Sequence, residues 1–244
     1  MPKQTCSTLL ATACLAALVG CGGGAGDGTG VAGASTATPL SPASNTYALA
    51  AGFQGRLASG ASDRFVVSGT CSGTASIATS AAVPSTFAGV PGYAAAQLST
   101  LALSNCTVTA GSQMGTTYFD SLAAPIGLNI LNGEYAQLNA PATDLPVSVA
   151  VGDAGVISTQ NTYADSTRAV PTGTLVLSYV IEANTAATAT ATVNMITRAY
   201  DVSNELLSTQ QSRYALTTGG ALTLSSIDVQ FSTTSTLHLL YTPS

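Results

Sequence analysis

The sequence predicts an all-β protein, either an antiparallel β-sandwich or a strongly curved, partly closed β-barrel, on three observations. Only 7% of the 244 residues are charged while 46% are hydrophobic. Abundant Thr, Ser, Val and Leu make that composition one of a packed, β-rich domain and not of a disordered chain. Apolar and polar residues alternate with period two through residues 174–242, the mark of half-buried strands. The connections in that region are too short for anything but antiparallel neighbours.

The C-terminal elements are the clearest. Thr174 to Ala183 (TLVLSYVIEA) places Leu175, Leu177, Tyr179 and Ile181 on one face. Thr188 to Tyr200, Leu206 to Leu216, Leu222 to Phe231 and Thr236 to Tyr241 continue the pattern. In the fourth of these, Ile227, Val229 and Phe231 alternate with Ser226, Asp228 and Gln230. The links are Asp201-Val202-Ser203-Asn204, Thr218-Gly219-Gly220 and Ser232 to Ser235, so a five-stranded meander in sequence order is expected. Upstream, Phe65 to Ile77, Gln97 to Leu103, Thr116 to Phe119, Ile126 to Leu131, Glu134 to Leu138, Val147 to Val151 and Val156 to Tyr163 are candidate strands. Pro91 to Leu103 is alternatively the one helix, because its alanines favour that state, but its second half, which runs into Cys106, is read as strand. The domain spans 45–244, with a composition break near Pro146 to Gly155 that could divide lobes 45–150 and 151–244. A sheet with one apolar face must bury it against another layer or against itself.

The N-terminus reads differently. One Lys (Lys3) precedes Thr8 to Val19, an uncharged run of twelve residues with four Leu and four Ala. It is too short to span a bilayer, which takes about 20 apolar residues. A basic start, a short apolar stretch and small residues at its end describe a secretory signal peptide, residues 1–20. Leu18-Val19-Gly20-Cys21 resembles the lipobox of Gram-negative bacterial lipoproteins at all four positions. The resemblance implies that Cys21 carries a thioether-linked diacylglycerol and an N-acyl chain such as palmitate. It also implies that the mature chain starts there, and that Gly22, not being Asp, sends the protein to the outer membrane, facing the periplasm or the surface. Several acyl chains hold far more firmly than one, at ~0.8 kcal/mol per buried CH₂.

Residues 21–44 then read as a flexible Gly/Ala/Ser/Thr tether spanning roughly 25 Å. Gly28-Thr29-Gly30-Val31-Ala32-Gly33 matches GxGxxG, but a dinucleotide site needs a strand before it and a helix after it. Neither is near.

Composition removes several function classes. Without the signal, five Arg face eleven acids. Arg56, Arg64, Arg168, Arg198 and Arg213 are scattered singly, and phosphate backbones need clustered positive charge. Lys3 is the only lysine and leaves with the signal, which excludes Schiff-base, Ser-Lys and P-loop chemistry. One His and no Trp disfavour a His-based zinc site and a sugar-stacking cleft.

Of five Cys, Cys6 and Cys14 are discarded and Cys21 is acylated. Cys71 and Cys106 remain as an even pair in an oxidising compartment, so a disulfide is expected. It stabilises by roughly 3–4 kcal/mol in the chain-entropy model. Gly69-Thr70-Cys71-Ser72-Gly73 has the form of a nucleophile elbow, but that elbow sits between a strand and a helix and a disulfide-bound sulfur cannot attack. His238, between Leu237 and Leu239, is expected to face opposite them. Asp63, Asp120, Asp144, Asp153, Asp165 and Asp201 mostly lie beside Gly, Ser or Pro and suit Asx turns, with no D-x-D-x-D calcium loop. Tyr163, Tyr179, Tyr200 and Tyr214 belong to the core or line a groove.

No catalytic, metal-binding or cofactor-binding residue is assigned. The expected role is a non-enzymatic, membrane-anchored envelope lipoprotein that binds an envelope protein partner or is structural. The alternative is a periplasmic carrier of lipid or another hydrophobic ligand, its sheet resembling the half-barrels of lipoprotein carriers and lipid-binding proteins. A carboxylate-dependent hydrolase is the weaker third.

Overall fold

The computed structural model describes residues 45–106, 111–184, 189–232 and 237–244. The signal peptide, Cys21 and the tether therefore lie outside the described residues. The described chain begins with a helix, α1 (Leu49–Ser59), followed by β1 (Ala61–Gly69), β2 (Ser72–Thr79), β3 (Val83–Phe87) and β4 (Val90–Ser104). Next come β5 (Gly111–Phe119), β6 (Pro125–Ile130), β7 (Tyr135–Leu138) and β8 (Ala154–Tyr163). The chain ends with β9 (Pro171–Ala183), β10 (Thr190–Asp201), β11 (Leu206–Thr217), β12 (Leu222–Phe231) and β13 (His238–Pro243).

The protein is all-β, and of the two expected architectures it takes the barrel, fully closed. Twelve antiparallel strands form the ring and β3 is an extra strand hydrogen-bonded to β4. The first strand pairs with the last, with Phe65 opposite Pro243, Val67 opposite Tyr241 and Gly69 opposite Leu239. The other seam is β2 against β4, from Ser72 opposite Ser104 to Thr79 opposite Gln97. Strand β3 prolongs the line of β2 along the same partner, with Val83 opposite Ala94. One extra residue on the β2–β3 side makes a bulge there.

Closure lets alternation sort the residues without a second layer. Leu175, Leu177, Tyr179 and Ile181 of β9, Val193 and Met195 of β10, and Ile227, Val229 and Phe231 of β12 all join one core cluster inside the ring. Each fully buried side chain of this size stabilises by ~1.5–3 kcal/mol. The intervening positions face out and carry Glu182, Arg198, Arg213, Asp228 and His238. Residues on both sides of the Pro146 to Gly155 break belong to this one sheet and one cluster.

The five C-terminal strands form the expected meander, β9 to β13 in sequence order. Upstream the structure corrects three expectations and decides a fourth, the Pro91 to Leu103 stretch, in favour of strand. Phe65 to Ile77 is two strands, because Gly69 has φ 112° and turns the chain at Thr70-Cys71; residues with a Cβ rarely adopt that conformation. Pro91 to Leu103 is strand throughout, since pairing with β2, β3 and β5 outweighs the helix preference of its alanines. Val147 to Val151 makes only an isolated bridge, Val149 with Tyr47, between Pro146 and a turn at Gly152-Asp153. The helix is instead Leu49–Ser59, and β3 was not foreseen.

Cys71 and Cys106 are joined, with Cα atoms 5.4 Å apart. They flank the Ser72–Ser104 pair, so the disulfide fastens the end of the β2–β4 seam.

Candidate functional site

The functional candidate is built where α1 crosses one end of the barrel. Leu49–Ser59 contains Ala, Leu, Gln and Arg, which favour helix, but also Gly52 and Gly55. Eleven residues are too few to be stable alone, so docking holds the helix in place. At its start, Tyr47 and Val149 exchange backbone hydrogen bonds of 2.8 and 3.0 Å, and the Ala50 N–H donates to the Pro146 carbonyl. At its end the Ala82 N–H donates to the Leu57 carbonyl at 2.8 Å. The helix lies close enough to the β11–β12 turn that a Cβ on Gly52 would stand 3.0 Å from the Gly220 carbonyl oxygen.

This docking drives Phe53 into the barrel, where its ring meets Tyr214 edge-on at 5.5 Å. The Arg56 guanidinium lies over the same tyrosine, 5.6 Å from the ring centre, and pairs with Asp63 of β1. Asp63 therefore serves an ion pair and not the expected Asx turn, because β1 aims it at the helix. Burial pushes the Tyr214 phenol well above its ordinary value, against the pull of Arg56, so it stays protonated.

Beside this group is a pocket of about 90 Å³ that opens at the mouth. Its walls are mainly apolar, with Phe53, Leu57, Ile77, Ala95, Phe119, Leu177 and Leu224, and the polar Gln97, Thr117 and Gln160 among them. Gln160 is 2% exposed. Its Nε2 donates to the Pro125 carbonyl at 3.2 Å and to the Ser158 hydroxyl at 3.3 Å. Its Oε1 has no partner. An apolar pocket with a few placed polar groups is the usual form of a small-molecule site.

The other sequence candidates lie elsewhere. Cys71 sits in a strand-to-strand turn at the far end, bonded to Cys106, so the elbow geometry does not form. His238 faces outward as expected and its Nε2 is 3.0 Å from Asp228 Oδ1. Asp120, Asp153, Asp165 and Asp201 accept backbone N–H bonds in turns, as expected. Thr167 holds the Asp165 carboxyl below the usual range through its hydroxyl and its N–H. Tyr179 and Tyr214 are in the core. Tyr163 belongs to an outer aromatic row with Tyr135, Tyr118 and Phe87. Phe87 occupies the space a Cβ on Gly127 would need, only 2.0 Å away, which explains why that strand position is glycine. No group of three or more His, Cys, Asp or Glu is placed to hold a metal among the described residues.

Phe53, Arg56 and Gln160 were not singled out in the sequence. The available signals were a lone aromatic in an Ala- and Leu-rich run, and a strand, Ser158-Thr159-Gln160-Asn161-Thr162, whose inward positions are all polar.

Fold and pocket together define a closed antiparallel barrel with a helix-capped mouth. No protein-family model, curated protein or solved structure matches this chain.

Glu134, beside the β6–β7 turn, yields a pH prediction. Burial alone raises its carboxyl from 4.5 to about 7. The folded state thus holds the proton more tightly than the unfolded one, and stability falls as pH rises from about 4.5 to 7. Part of the residue reaches solvent, so the loss is discounted to about 1–2 kcal/mol. Glu134→Gln should exceed the parent by that amount at pH 8 and match it at pH 4 in urea unfolding. A constant difference across the range would refute the cause given.

Proposed function

We propose that this protein is a lipid-anchored envelope protein whose barrel binds a small hydrophobic ligand in the mouth pocket, and that it is a binder, not an enzyme. The barrel fold is compatible with a ligand-binding or carrier role, and the observation that carries the proposal is the partly open apolar pocket of about 90 Å³. That volume is below the roughly 150 Å³ of a cavity that takes up benzene. The pocket therefore takes the end of a short chain or one edge of a ring, the rest projecting through the mouth. A whole phospholipid does not fit.

Outward charges support a barrel carried on a tether and not embedded in lipid. Arg198 and Arg213 sit within long strands, and a lipid-facing Arg costs about 2–4 kcal/mol at the bilayer midplane. Anchoring then falls to Cys21. Cys21→Ser should move the protein from the membrane fraction to the soluble one and abolish labelling by palmitate; unchanged membrane association would reject the anchor.

Partner binding, the first expectation from sequence, is favoured as a second role by one feature. No charged residue occurs from Phe65 to Phe119, and Leu98 and Met114, opposite each other on β4 and β5, are 41% and 51% exposed. The free strand edge that would recruit a partner strand is β3, five residues long and interrupted by Pro84, and proline blunts such edges.

Toluene titrated into the intact protein tests the pocket. Saturable binding should raise the unfolding midpoint, by about 2.7 kcal/mol in stability at a hundred times Kd. Ala95→Leu, which fills the pocket from a wall residue that is 1% exposed, should remove that response. No saturable response in the parent would rule the proposal out.

A further inference from the structure

The outer face of β5 to β8 gathers groups that the mouth pocket does not use. An open pocket of about 420 Å³ lies there between the outer side of β5 and β6, the β6–β7 turn and the β8–β9 turn. Thr116, Asn129, Asn132, Asp165 and Ser166 give its walls hydroxyls, amides and a carboxylate, and the exposed Met114 and Leu131 give them apolar surface. Both turns are fixed. The Gly133 N–H donates to the Ile130 carbonyl at 3.1 Å, with Asn132 at φ 56°. Asp165 Oδ1 accepts from the N–H and the hydroxyl of Thr167. Asn129 is the register partner of Tyr135, and Tyr135 that of Tyr163. Register partners share one face of a sheet, so the pocket continues into the outer aromatic row, where Phe87 lies 5.5 Å and Tyr163 6.5 Å from the Tyr135 ring centre. Two residues along β7 from Tyr135, about 7 Å on, Gln137 lines a second pocket of about 430 Å³ together with Phe87, Ile126 and Asn139.

Concavities of this size are those of ligand sites, and the chemistry of the walls narrows the ligand. No Lys, Arg or His among the described residues lines either pocket, so a phosphate or carboxylate meets no counter-charge. Arg168 lies outside both and donates to Gln137 Oε1 at 3.1 Å. The ionised Asp165 can only accept, so its partner must donate, while the amides both donate and accept, as neighbouring hydroxyls do. The ring faces between the pockets suit flat C–H surfaces. Dense hydroxyls, apolar C–H faces and repetition along a line together describe a sugar chain. We propose that the outer face of β5–β8 binds a neutral oligosaccharide, the two pockets serving as successive subsites and the aromatic row as the surface that joins them. Tyrosine and Phe87 supply the rings in a chain without Trp. The site is separate from the mouth pocket and does not depend on it.

Calorimetric titration of the intact protein tests this with maltohexaose, cellohexaose and N-acetylchitohexaose, their single units glucose and N-acetylglucosamine, and polygalacturonate as an acidic chain. At least one neutral hexamer is expected to bind saturably and about tenfold or more tightly than its single unit, because only a chain reaches both pockets. Asn129→Ala, on the outer face, and Tyr135→Leu, which keeps apolar volume but removes the ring, should each weaken that hexamer about fivefold or more. Urea unfolding checks that each variant folds. A single unit binding as tightly as its hexamer overturns the proposal, as does polygalacturonate binding more tightly than all three neutral chains. Hexamer binding that both folded variants leave unchanged also overturns it. If no hexamer binds the parent protein, the proposal fails whatever toluene does at the mouth.

Discussion

The pairing of the first strand with the last is the constraint on which the rest of this structure depends. Phe65 to Gly69 lie against Leu239 to Pro243, bringing together segments from opposite ends of the described domain. Further bonds extend the seam at both ends: the Thr70 N–H to the His238 carbonyl at 2.8 Å, and the Ser244 N–H to the Arg64 carbonyl at 3.1 Å. Without this seam the sheet has an apolar face and nothing to cover it. With it, the same alternation turns the apolar set of each C-terminal strand into the enclosed core.

Closure also determines how the disulfide and the helix act. The Cys71–Cys106 bond follows directly from the strand β1 that makes the seam, and it fastens β2 to β4 at the same end of the barrel. At the other end no covalent tie is found among the described residues. The mouth is covered by α1, held by a few backbone bonds, the Phe53–Tyr214 contact and the Arg56–Asp63 pair. One end is thus locked and the other covered, and the pocket lies at the covered end. Its size follows from the same packing: Phe53 and Tyr214 take up interior volume that an uncapped barrel would leave open.

The C-terminal half was legible because its strands are long, alternate cleanly and are joined by short turns. Leu222–Phe231 has the predicted bounds. The N-terminal half hid its structure for local reasons. Gly69 turns the chain inside a run that otherwise reads as one strand. The alanines of β4 favour helix until three neighbouring strands claim its backbone. The helix itself carries two glycines and a single charge, Arg56, so its pattern is weak. The site was harder still. Asp63 meets Arg56, and Gln160 meets Pro125, only because the sheet closes and the helix docks, and no spacing in the sequence encodes those encounters.

Amide hydrogen exchange along β13 tests closure most directly. In a closed ring every amide of Leu239, Leu240 and Tyr241 is bonded or shielded, those facing β12 and those facing β1 alike. All should exchange as slowly as the amides of β10. If alternate amides of β13 exchange as fast as those on the free edge of β3, the barrel is open and the account fails.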